Sequence, residues 1–205
     1  MDDFDSRILV DAKQEYSNDL IRMLKKPILE GINSIFVKAC EISSKQPRKT
    51  FIIFQDLLSQ IPKWNQELIE KETLRIIDIS NCDFLEDLIT AVFVSHTKIL
   101  AVIRTTKCKR NINLTIPKSE IFIHKCYIES AREFWKCPEI FDRRISKSEQ
   151  LKNSRYCEDI ISTSINETIR KLLPLRYILK ESLGDTFEEE DSLEDEDFPP
   201  PIADA

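Results

Sequence analysis

The chain has 205 residues, two glycines and a formal net charge of −6. That length suits one domain that buries its apolar surface without disulfide or metal staples. Gly31 and Gly184 alone cannot build the glycine-cradled phosphate loops of Rossmann or P-loop proteins, and they leave too little turn chemistry for a sandwich or barrel.

The charge is divided. Residues 185–205 hold ten acids and no base, so residues 1–184 keep 26 acids against 30 bases, a net +4. Low glycine with abundant Leu, Ile, Lys and Glu predicts helices. The expected fold is an all-α single helical bundle around a buried central helix, with extended N- and C-terminal arms. Its expected divisions are an N-terminal arm over 1–14, a helical domain over 15–184 and an acidic C-terminal tail over 185–205.

In chain order, the arm carries an apolar Ile8-Leu9-Val10 cluster. A first helix is predicted from about Tyr16 to Ile42. Leu20, Leu24, Ile28, Ile32, Ile35, Ala39 and Ile42 recur at spacings of three and four. Pro27 lacks an N–H and disfavours helical geometry in Lys26, which predicts a kink or break there. A short helix follows over 51–60, then a turn at Pro62 and a helix over 65–79. In that helix Leu68, Ile69, Ile76 and Ile79 mark the inner face and Glu72 interrupts the stripe. Glu67, Lys71 and Arg75, four apart, suit its outer face.

Asn81–Ile103 reads as the central helix. Asn81 or Asp83 can cap it, Glu86 and Asp87 suit its start, and apolar residues from Leu88 onward fall on nearly every face. A hairpin of residues 91–94 with 99–103 is the alternative, but Ser95–Lys98 lacks the Asn-Gly or Gly-x signal of a tight turn. Residues 105–115 are a basic loop. Pro117 suits the first position of a helix reaching Lys136, with Phe122, Ile123, Cys126, Tyr127, Ala131, Phe134 and Trp135 on its apolar side. Phe141 is expected to tuck onto the core. Ser146 and Glu149 form a capping box for the last helix, whose stripe is Cys157, Ile161, Ile165, Ile169, Leu172 and Leu173. Pro174 is expected to kink it, and Gly184 to stop it.

No catalytic constellation stands out, so the chain reads as a non-enzyme with no cofactor and no small-molecule substrate. Both histidines, His96 and His124, read as satisfied polar groups near the core. A zinc site of His124, Cys126 and Cys137 lacks close Cys pairs, so no metal is expected. Six cysteines without a C-x-x-C pair, several inside apolar patterns, read as free thiols in a reducing compartment. The N-terminus resembles no secretory or transit signal, and the longest apolar run is too interrupted to span a membrane.

Two segments suit partner contacts. Lys98, Arg104, Lys107, Lys109, Arg110 and Lys118 form a basic stretch with no acid among residues 98–118. It suits phosphates, an acidic protein surface or the chain's own tail, although it lacks an aromatic residue for base stacking. A solvated loop is the plainer account. In the tail, Leu193 and Phe198, with three prolines after Phe198, suit a linear segment that docks on a partner; a solubilising tail is the plainer account there.

The run F-Q-x-L-L-x-x-I-P-x-W-N from Phe54 to Asn65 and the run A-R-E-F-W-K from Ala131 to Lys136 carry a resemblance. With Thr50–Ile79 and Ile116–Asp142 around them, they resemble a family of helical proteins encoded by nucleocytoplasmic large DNA viruses. The resemblance implies a virion structural protein, a minor capsid component that bridges neighbouring capsid subunits beneath the major capsid lattice. It implies other capsid proteins as partners, and the virion and host cytoplasm as location. It carries no catalytic residues. The alternative expectation is a nucleic-acid-associated replication or transcription factor that uses residues 98–118.

Overall fold

The computed structural model describes residues 3–45, 49–102 and 116–173. Among these residues the fold is all-α. Helices α1 (Asp3–Ile42), α2 (Thr50–Ser59), α3 (Gln66–Ser80), α4 (Leu85–Val102), α5 (Ser119–Lys136) and α6 (Lys147–Leu172) are joined by 3-10 turns at Ser43–Lys45, Ile61–Lys63 and Pro138–Phe141. The hairpin alternative for residues 91–102 does not form, because α4 runs through them.

The longest helix, α1, packs against α2, α3, α4 and α6. Leu20, Leu24, Ile28, Ile32 and Ala39 are fully buried along it, as their spacing predicts, while Ile42 is 56% exposed and Phe36 fills the core instead. Two expectations fail here. Residues 3–14 are not an extended arm; they are the first turns of α1. Of the kink or break expected at Pro27, the break does not form: the helix continues on both sides of it. A proline inside a helix costs about 3 kcal/mol. Leu24, Ile28 and Ile32 bury apolar surface on either side, and each such side chain contributes roughly 1.5–3 kcal/mol.

The expected central helix is also corrected. Asn81 does not start α4; it ends α3 in the left-handed conformation, with φ 50°. The N–H groups of Asn81 and Cys82 return to the Asp78 and Ile77 carbonyls, a Schellman-like stop that Asn tolerates. Nor is α4 buried on every side. Leu85, Leu88, Ile89, Val92 and Phe93 face inward, while Glu86, Asp87 and Lys98 are exposed. Its inner face lies mainly on α1. The central role belongs to α1 and to α5, which buries Phe122, Ile123, Cys126, Tyr127, Ala131, Phe134 and Trp135. Pro117 lies just before α5 rather than at its first position, and Lys118 is the N-cap.

Several local expectations hold. Phe141 is buried against Phe36, Phe54 and Phe134, with ring centroids 5.0–5.5 Å apart. The Ser146–Glu149 capping box forms at the start of α6. Cys157, Ile161, Ile165 and Ile169 are buried along it. Cys82, Cys126 and Cys157 are buried free thiols, and burial pushes Cys126 and Cys157 up to about 12. The kink at Pro174, the stop at Gly184 and the acidic tail lie outside the described residues.

His96 seals the α1–α4 contact. Its Nε2 and Ser17 Oγ share a hydrogen bond at 3.2 Å. Burial, with Lys13 and Arg170 nearby, holds its pKa down at about 4 against an ordinary 6.5. An unfolded chain therefore takes up a proton as pH falls through 6.5, while the folded protein resists it until about 4. Stability falls across that window and levels off below it. We predict that His96→Gln, which keeps a hydrogen-bonding group, flattens this loss. Denaturant unfolding at a series of pH values should show the variant losing about 2–3 kcal/mol less than wild type between pH 6.5 and 4.

Candidate docking groove

A groove of about 700 Å³ opens between α1, α2 and α3, with Tyr127 of α5 at its base. Its walls follow from local sequence. Pro62 sits at the start of the Ile61–Lys63 turn. Trp64 then takes an extended ψ of 137°, and the Asn65 side chain caps α3 by accepting from the Leu68 N–H at 2.9 Å. The chain thus passes from α2 to α3 in six residues, 60–65, and leaves the Trp64 indole beside the groove. That ring lies nearly parallel to His124, at 11° with centroids 6.0 Å apart, and leans on Tyr127 at 5.2 Å. His124 Nε2 lies 2.8 Å from the Ile61 carbonyl. A carbonyl only accepts, so this nitrogen carries the proton.

The base of the groove is a closed polar network. Tyr127 donates its hydroxyl hydrogen to Glu72 Oε1 in a short bond. Arg75 donates Nε and Nη2 to the Glu72 carboxylate at 2.6–3.0 Å. The same Nη2 reaches the Pro27 carbonyl at 2.6 Å, and Glu30 lies 3.7 Å from Arg75 Nη1. Burial and the adjacent Glu72 push Tyr127 well above its ordinary 10. The Glu72 hydrogen bond outweighs desolvation at Arg75 and raises it. The phenol stays neutral and the guanidinium charged, so Arg75 cancels Glu72.

Gly31 is what lets Tyr127 in. A Cβ at this position would fall far inside the van der Waals contact of the Tyr127 hydroxyl, 2.9 Å from its Cζ and 3.0 Å from Glu72 Oε1. The glycine costs α1 roughly 0.5–1 kcal/mol in helix propensity and opens space for the phenol.

Over this hydrogen-bonded base the rim is different. Lys38 and Lys63 are exposed and have no ion-pair partner among the described residues. Ile35 is half-buried and Leu68 is 42% exposed. The groove therefore combines aliphatic walls, one aromatic edge and two free cations.

Two readings of α3 are corrected. Arg75 is not on an outer face with Glu67 and Lys71; it turns inward to Glu72 and α1. Leu68 and Ile79 are exposed, and Ile69, Thr73 and Ile76 form the inner face. Of the expected contact residues, Lys98 lies exposed near the end of α4 and Lys118 lies exposed at the start of α5. Arg104, Lys107, Lys109, Arg110, Leu193 and Phe198 lie outside the described residues. The groove was not anticipated. Its signals were a glycine inside a long helical pattern and an acid on the apolar stripe of α3. His124 and Cys126 turn to different neighbours: His124 engages Ile61 and Trp64, and Cys126 is fully buried near Thr168 of α6.

Gly31→Ala gives a sharp test of the network. At an ordinary helix position it would stabilise by up to about 1 kcal/mol. Here it should destabilise by about 1–3 kcal/mol through overpacking. The loss should shrink in a Tyr127→Phe background, which removes the oxygen the new methyl would strike. Chemical denaturation of the four proteins of that cycle measures the coupling.

The two motif runs meet in this region, where Gln55 Nε2 donates to the Trp135 carbonyl at 2.8 Å in the core. No curated protein and no solved structure matches the chain. Residues 6–142, from the first turns of α1 to the turn that carries Phe141, match the model of a family of unknown function, DUF5764. With well over half of its length inside that match, the chain belongs to the DUF5764 family.

Proposed function

We propose that the protein is a structural interaction protein whose groove receives an acidic segment bearing apolar side chains from a partner protein. The observation that carries this reading is the contrast between the base, where Arg75 holds the Glu72 carboxylate, and the rim, where Lys38 and Lys63 have no ion-pair partner among the described residues and stand beside exposed Leu68. Free cations at the rim attract acids, and apolar walls retain the side chains between them. The network below holds the walls in place before binding, so little ordering cost falls on the groove side.

The motif resemblance supplies the setting: a minor capsid protein of a large DNA virus, bridging neighbouring capsid subunits. It acts there without catalysis or cofactor. A second reading places function on the basic stretch, supported by the exposure of Lys98 and Lys118 at its two ends. That reading predicts nucleic-acid binding that weakens steeply as salt rises.

Leu68→Lys and Lys63→Glu alter exposed groove residues and should change folding stability by no more than about 0.5 kcal/mol. Quantitative mass spectrometry of purified particles should find the wild-type protein at fixed stoichiometry and the variants depleted. Equal recovery of wild type and variants would remove the groove from assembly. Absence of the protein from particles, together with salt-sensitive binding to duplex DNA, would move the function to residues 98–118.

A further inference from the structure

We infer that this chain's own acidic segment, residues 185–205, docks in cis in the groove and must be displaced by an incoming partner. The inference rests on the groove being a docking site and names the segment that covers it in the isolated protein.

Charge complementarity is the first ground. The segment holds ten acids and no base, while the rest of the chain is net +4. Lys38 and Lys63 stand unpaired at the groove, and the acid beneath them is already held by Arg75. The segment also has what the walls need. Leu193 and Phe198 are spaced among its acids, and the groove offers Leu68 and Trp64. Residues 98–118 are more basic but hold no aromatic residue to receive Phe198.

Reach is the second ground. The described chain ends at Leu173, just past α6. Lys171 is bonded to Glu129 of α5 at 2.8 Å, and Tyr127, two residues earlier on α5, turns to the groove base. The end of α6 also lies beside His96, which is bonded to Ser17 of α1, and Gly31 at the groove is 14 residues further along that helix, about 21 Å at 1.5 Å per residue. Residues 174–184 can span up to about 36–40 Å when extended. A tether of this length holds the segment at roughly millimolar effective concentration, so modest contacts suffice. A partner segment must then outcompete it, which makes the tail a threshold on assembly.

The test uses the full-length protein and a carbodiimide, which joins a lysine amine to a carboxylate in direct contact. Mapping by mass spectrometry should find Lys38 or Lys63 joined to acids of residues 185–205. The yield should not change on dilution and should fall as salt rises. Leu193→Ser with Phe198→Ser should cut this yield about tenfold, since two apolar side chains leave the groove. Denaturant unfolding of the variant, compared with the wild type, checks separately that it folds. Cross-links from the tail only to Lys98, Lys118 or other lysines overturn the inference, as does a yield that the serine variant leaves unchanged. A yield that rises with protein concentration also overturns it, placing the tail in a neighbour's groove. Each of these results leaves the particle-recovery test of the groove standing, so the two ideas fail separately.

Discussion

A phenol, a carboxylate and a guanidinium meet where α1, α3 and α5 converge, and the shape of the groove above them depends on that meeting. Burying charge costs several kcal/mol per ion unless partners are well placed. Here they are: Arg75 takes Glu72 and the Pro27 carbonyl, and Tyr127 fills the remaining position on Glu72. The arrangement fixes three helices at once. It also explains one feature that looks like a flaw in α1, the glycine near its middle. Gly31 makes space for the phenol, and the Pro27 carbonyl receives the guanidinium.

The same network separates rigidity from recognition. Because the polar groups at the base of the groove already bond to one another, they offer little to a ligand beyond shape. The rim keeps its charge free at Lys38 and Lys63 and keeps apolar surface uncovered at Leu68. The motif run from Phe54 to Asn65 serves both halves. Phe54 and Gln55 anchor α2 in the core, and Trp64 and Asn65 shape the wall and start α3. A sequence pattern that reads as packing therefore also builds a wall of the groove.

Several other chemically capable side chains among the described residues hold helices together. His96 seals α1 to α4 and His124 ties α5 to the turn before Trp64. The buried thiols of Cys126 and Cys157 are held far from ionisation. This is why the proposed function rests on surfaces and segments, and why the acidic tail and the groove are considered together.

Helix content, the α5 and α6 stripes and the Ser146–Glu149 box were legible in the sequence, because each is encoded within one or two turns of the same helix. So was the fate of Phe141, an apolar residue stranded after a helix stop. The course of the chain through Pro27, the helical state of residues 3–14 and the one-sided burial of α4 were not, since neighbours far along the chain outweigh local preference. The groove was the least legible feature. Tyr127 and Glu72 lie 55 residues apart, and Arg75 and the Pro27 carbonyl 48. Periodicity could show that an acid interrupted the α3 stripe; it could not say which partner would neutralise it, because that partner arrives only when the helices pack.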